Sequence, residues 1–126
     1  MDKLKIVIIE DDVDVLDFIK VGIDKLGIDI DMEMIKDGDE FTSKYENFNA
    51  DLVILDLMMP KITGFQICSY LRQNLKIKKL KILAITGYDT PENKSKILAM
   101  GADEYLAKPF DLDSLIEKLQ TLIKAN

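Results

Sequence analysis

The chain has no histidine and only one cysteine among its 126 residues. The first absence excludes imidazole general-base catalysis, histidine-ligated metal and phosphohistidine on this chain. The second excludes an internal disulfide. Because "MDKLKIVII" also lacks the flank and apolar length of a secretory leader, a cytoplasmic location is expected. No apolar run approaches the roughly 20 residues needed to span a bilayer, so no membrane role is expected. Positive charge is scarce too: 17 Lys and Arg face 23 Asp and Glu, a formal net charge of −6. Residues 1–63 carry 7 basic against 16 acidic residues, and residues 64–126 carry 10 against 7. Without a basic stripe, direct nucleic-acid binding is not expected. The only basic run, "KIKKLK" at 76–81, reads as a solvated loop. Cys68 shares helical spacing with Ile67 and Leu71 and reads as a small core residue.

What remains is a regular alternation. "LKIVII" (4–9) reads as a buried strand, followed by Val15, Leu16, Phe18, Ile19 and Ile23 at helical spacing, with Gly27 as the stop. "IDIDMEMI" (28–35) alternates apolar and acidic residues, which predicts a half-buried edge strand. Residues 38–47 suggest a short helix, and "DLVILD" (51–56) another buried strand. Residues 64–74 predict a helix with Phe65, Ile67, Cys68 and Leu71 inward. "KILAIT" (81–86) is a strand, Thr90-Pro91 a helix start, "EYLAK" (104–108) a last strand, and Leu112 to Ile123 a long amphipathic helix. Five β-α units predict an α/β fold, a doubly wound five-stranded parallel sheet with right-handed crossovers and helices on both faces.

In such sheets function sits outside the carboxyl ends of the strands. Those ends carry Glu10-Asp11-Asp12, Asp56, Thr86-Gly87 and Lys108-Pro109. Clustered carboxylates without His or Cys form a hard oxygen site suited to Mg²⁺, which keeps waters and takes phosphate oxygens as further ligands. A carboxylate nucleophile, a cation and a hydroxyl on one edge suit phosphoryl transfer.

From end to end the chain resembles a response-regulator receiver domain of two-component signalling, of the chemotaxis-regulator-like kind. The motifs that carry the resemblance are "IVIIEDD", "LVILDLMMPKITG", "ILAITG" and "GADEYLAKPF". The resemblance implies a flavodoxin-like (βα)5 fold with strand order 2-1-3-4-5. It implies that Asp56 is the phosphoacceptor and that Lys108 pairs with it, in front of a cis peptide bond to Pro109. It makes Thr86 the switch hydroxyl and Tyr105 the switch aromatic. It implies Mg²⁺ held by Asp11, Asp56 and the backbone carbonyl of Met58, with Glu10 acting through water. Three acids compete for two places in the acidic pair. With Glu10-Asp11 as the pair, Val15, Phe18, Ile19 and Ile23 take core positions; with Asp11-Asp12, Lys20 and Asp24 would be buried. Glu10-Asp11 is therefore chosen, and Asp12 is left to the helix start. The methionines at 32, 34, 58, 59 and 100 read as core or loop packing.

The function so implied is a phosphorylation-activated switch: a histidine kinase or phosphotransfer protein donates to Asp56, and the face of helix four, strand five and helix five changes partners. Those partners are a downstream protein, an output domain or a second copy in a phosphorylation-dependent homodimer. Residues 1–126 are expected to be a single receiver domain with no output domain. The alternative is a Mg²⁺-dependent phosphatase acting through an aspartyl-phosphate. It wants a second Asp two residues after the nucleophile, where Met58 stands.

Overall fold

Runs of Ile, Val and Leu set the strands, and side-chain caps set the helix starts. The computed structural model describes residues 3–74 and 79–124. In chain order the elements are β1 (Leu4–Ile9), α1 (Val13–Asp24), β2 (Ile30–Ile35), α2 (Gly38–Lys44) with a 3₁₀ turn over Tyr45–Asn47, β3 (Leu52–Asp56), α3 (Gly64–Gln73), β4 (Lys81–Thr86), α4 (Pro91–Ala99), β5 (Glu104–Ala107) and α5 (Leu112–Lys124). The sheet is parallel, in the order β2-β1-β3-β4-β5.

Side chains alternate across a strand, so each central strand feeds two cores. Ile6, Ile8, Leu52, Ile54, Leu83 and Ile85 pack on one face with Leu16, Ile19 and Ile23 of α1 and Leu115, Leu119 and Leu122 of α5. Val7, Ile9, Val53, Leu55, Ile82 and Ala84 pack on the other with Phe41 of α2, Ile67, Cys68 and Leu71 of α3 and Ile97 of α4. Cys68 is thus core, and burial pushes its thiol up and away from reactivity. Emptying such a site costs about 2–5 kcal/mol for a Leu-to-Ala change.

The caps are in the sequence. Asp37 accepts from Glu40 N, Thr63 and Gln66 form a reciprocal capping box, and Thr90 accepts from Asn93 N ahead of Pro91 at the first turn. Gly64 opens α3 because a Cβ there would collide with the Asp56 carbonyl oxygen and the Leu57 Cα. The helix therefore starts hard against the end of β3.

Several expectations need correction. β2 begins at Ile30, and Ile28 is exposed. The helix expected over 38–47 ends at Lys44 and finishes as a 3₁₀ turn. In α1 the buried apolar residues are Leu16, Ile19 and Ile23, whereas Phe18 is 37% exposed and Val15 only partly buried. Phe65 is likewise only partly buried. The basic run at 76–81 falls partly on residues 75–78, outside the described residues; Lys81 from that run starts β4. Among the described residues, no helix is long and apolar enough to cross a membrane.

Candidate functional site

Four parallel strands end side by side, and each delivers at least one polar residue to the same edge. β1 stops at Ile9 and Glu10 follows, its N–H still donating to the Ile35 carbonyl at 3.0 Å. Glu10 is 0% exposed, and one carboxylate oxygen, Oε2, accepts from the N–H groups of Asp11 (3.0 Å) and Asp12 (3.1 Å). The other oxygen, Oε1, lies 2.7 Å from Lys108 Nζ, an ion pair without hydrogen-bond angles, and no other donor reaches it among the described residues. Burial pushes Glu10 up to about 7, with Lys108 and the Asp12 N–H pulling the other way.

Asp12 is turned away from this group. It is the N-cap of α1, and its Oδ1 accepts from Asp14 N (2.9 Å) and Val15 N (3.4 Å). Asp56 is the last residue of β3 and is buried. Its Oδ1 accepts from Met58 N at 3.1 Å, and its Oδ2 lies 3.6 Å from Lys108 Nζ. Burial would lower Lys108, but its close contact with Glu10 and the charge of Asp56 outweigh this and hold the ammonium above its ordinary range. Lys108 is therefore a firm cation shared by two carboxylates. It pairs with Asp56, as the resemblance implied, and stands closer still to Glu10.

Thr86 ends β4 and is fully buried. Its Oγ1 accepts from Tyr88 N at 3.0 Å, and its carbonyl accepts from Lys108 N at 2.7 Å. The latter bond carries the β4–β5 pairing up to the lysine. The Lys108-Pro109 peptide is cis. Tyr105, on β5, is half-buried, and its hydroxyl donates to Asp89 Oδ1 at 3.1 Å.

Carboxylate oxygens of Glu10, Asp11 and Asp56 lie within 4.8 Å of one another. The donors are all hard oxygens, one buried oxygen lacks a hydrogen bond, and three potential negative charges face one ammonium. That donor set fits a small divalent cation such as Mg²⁺. Asp11 is exposed and leaves the cluster open to solvent. Met58 follows Asp56 by two residues, is tied to it through its N–H and is 46% exposed; Met59 is buried. Beside Lys108 an apolar groove of about 500 Å³ runs between α1 and the start of the β5–α5 loop, lined by Asp14, Val15, Phe18, Lys108, Pro109 and Phe110. Phe18 and Phe110 meet edge to face across it, 5.7 Å between centroids.

The structure therefore brings Glu10, Asp11, Asp56 and Lys108 together and sets Thr86 on the adjoining strand end. Asp89, the acceptor for Tyr105, was missed in the sequence. It is an unremarked acid sixteen positions away, and no local pattern links the two.

Residues 6–120 match the family model described as response regulator receiver domain. The response regulator ArlR of Staphylococcus saprophyticus is 34% identical over 95% of this chain and 52% of its own. The DNA-binding dual master transcriptional regulator RpaA of Synechocystis is 30% identical over 95% of this chain and 49% of its own. The chain thus spans about half the length of these relatives. Among solved structures, the receiver domain of the Francisella response regulator 1452 superposes with a TM-score of 0.82 at 32% identity, covering 98% of each chain. The receiver domain of a DNA-binding response regulator from Colwellia psychrerythraea gives 0.87 at 27% identity, covering 97% of this chain and 99% of that one.

Proposed function

The chain belongs to the response regulator receiver domain family, and from that premise we propose that Asp56 accepts a phosphoryl group and so switches the protein between two binding states. One observation carries the reading. Asp56 is a buried carboxylate at a strand end, inside a three-carboxylate cluster, with a protonated lysine 3.6 Å away. A buried carboxylate needs a compensating cation, and this one has Lys108, which can also receive transferred negative charge.

In the transfer, an Asp56 oxygen forms a bond to phosphorus as the bond to the donor's leaving atom breaks, and that atom departs with the electron pair. Lys108, held protonated, faces the arriving phosphoryl oxygens and offsets their charge. Asp11, Asp56 and the Met58 carbonyl, with Glu10 through water, would hold a magnesium ion, which would supply further positive charge beside the phosphoryl group. Thr86 now uses its oxygen as an acceptor for Tyr88 N, so its hydroxyl hydrogen can be donated to a phosphoryl oxygen. Reorientation of Thr86, followed by Tyr105, changes the face made by α4, β5 and α5, which is a population shift biased by a charge event.

The donor is a histidine kinase or a phosphotransfer protein, and the apolar groove beside Lys108 is suited to seating a protein donor next to the reactive carboxylate. The receiving partner is a downstream protein, an output domain or a second copy, and the setting is cytoplasmic. The chain acts on itself and is not a turnover enzyme. The phosphatase alternative is not favoured, because the position for a general acid holds Met58, which transfers no proton.

Incubation with acetyl phosphate and Mg²⁺, followed by intact mass and peptide mapping, tests the proposal. A single label on Asp56, absent in Asp56→Asn, is expected. Equal labelling of the mutant overturns the assignment.

A further inference from the structure

The loop between Thr86 and α4 ties three groups to one another. Tyr88 N donates to Thr86 Oγ1 at 3.0 Å. Asn93 Nδ2 donates to the Tyr88 carbonyl at 3.2 Å, fastening the loop to the first turn of α4. Asp89, the next residue, is exposed and accepts from the Tyr105 hydroxyl at 3.1 Å. The Tyr105 ring packs at the rim of the core face that holds Ile97 and Ala102. Lys94 of α4 places its ammonium 5.8 Å from the ring centroid. The ring is thus held from its hydroxyl end by a carboxylate, while its apolar body is only partly covered.

From this juxtaposition we infer that Asp89 is a positioning residue, a latch that keeps Tyr105 at the exposed rim until Thr86 releases the loop. The inference rests on the proposed function, in which Thr86 and Tyr105 are the moving parts. The linkage is short. When the Thr86 hydroxyl turns toward another oxygen, the Tyr88 N–H loses its acceptor. The segment carrying Asp89 is then freed at one end, and the carboxylate withdraws from Tyr105. The same contact works in reverse: while Asp89 holds the tyrosine, the loop is held against Thr86. Asp89 therefore opposes the switch in the unmodified protein, and removing it lowers the set point.

A hydrogen bond from a phenol to a carboxylate at a solvent-exposed rim changes a two-state ratio by about fivefold. The test uses the full chain labelled with 3-fluorotyrosine, with the residue-105 signal identified by its loss in Tyr105→Phe. Fluorine relaxation dispersion reads the fraction of the ring that has left the rim, and acetyl phosphate labelling reads the rate at Asp56. Asp89→Ala is expected to raise that fraction about fivefold and to speed labelling by a similar factor. Asp89→Asn, which keeps an oxygen acceptor without the charge, should fall between it and wild type. Tyr105→Phe should speed labelling comparably, and combining it with Asp89→Ala should add nothing further, which a merely structural role would not produce. An unchanged fraction in Asp89→Ala, or additive effects on labelling, overturns the latch. If wild type labels on Asp56 while the fraction stays fixed, the latch fails and the proposed function stands. If the fraction moves while no variant labels, the latch stands and the phosphoacceptor reading fails.

Discussion

Neutralising Asp56 should make the protein more stable, although the residue is buried and hydrogen-bonded. Carboxylate oxygens of Glu10, Asp11 and Asp56 lie within 4.8 Å of one another. At an effective dielectric of about 20, two full charges at that separation repel by about 3.5 kcal/mol. Asp56 takes part in two such repulsions. Against them stands its attraction to Lys108 at 3.6 Å, about 4.5 kcal/mol on the same scale. The balance is about 2 kcal/mol against the folded state. Burial holds Glu10 up at about 7, so near neutrality it is partly protonated and the repulsion is trimmed. The desolvation of Asp56 itself adds to the cost in the same sense as the repulsion, and offsets that trimming. Asp56→Asn keeps an oxygen for the Met58 N–H and leaves Lys108 its closer partner, Glu10. In EDTA, urea unfolding should show the mutant about 2 kcal/mol more stable, or roughly 7 °C higher in Tm for a chain of this length. Adding Mg²⁺ should stabilise wild type more than the mutant, because ligand binding to the folded state raises its stability. A mutant no more stable than wild type in EDTA would refute the reasoning, since the site would then hold no net repulsion.

Three further outcomes are expected. Asp11→Asn should weaken Mg²⁺ binding at least about tenfold in a titration, whereas Asp12→Asn, which alters only the cap of α1, should leave it within about twofold; the reverse order would mean the acidic pair is displaced by one residue. Met58 and Tyr88, 46% and 64% exposed, offer little to orient an attacking water, so the phosphorylated wild type should decay slowly. Met58→Asn combined with Tyr88→Glu should speed the loss about tenfold or more, followed by label decay without kinase. Arg72 donates to the carbonyls of Gly101 (2.8 Å) and Leu80 (2.7 Å) and to Asp103 (2.7 Å), so Arg72→Ala should cost about 2–4 kcal/mol in chemical denaturation, with Arg72→Lys recovering less than half because an ammonium cannot bridge all three.

The strands were legible because buried parallel strands read as short branched apolar runs, and β4 falls where "KILAIT" places it. The site was legible for a related reason: polar residues that end such runs stand out against them. Register within an amphipathic helix was harder. Val15, Leu16, Phe18, Ile19 and Ile23 cover more than one face, and the sequence does not say which part the sheet takes. The sheet takes Leu16, and Phe18 leans instead on Phe110 at the groove. The choice of Glu10-Asp11 agrees with the carboxylate cluster, although the core set used to argue it was partly wrong. Partner choice across space was not legible. Lys108 stands nearer to Glu10 than to Asp56, Tyr105 finds Asp89, and Arg72 reaches carbonyls that carry no sequence signature.

Because the edge of the sheet is assembled from strand ends, its parts are far apart along the chain: Glu10, Asp56, Thr86 and Lys108 stand at the ends of four separate strands. During synthesis, Asp56 leaves the ribosome long before the lysine that is to face it. Until β5 docked beside β4, the aspartate would lack the cation that Lys108 brings to it. A phosphoryl group on Asp56 would therefore certify that all four strands have met in register. The label would report tertiary completion as well as signal, and nascent or misfolded copies would stay silent in a cell full of donors.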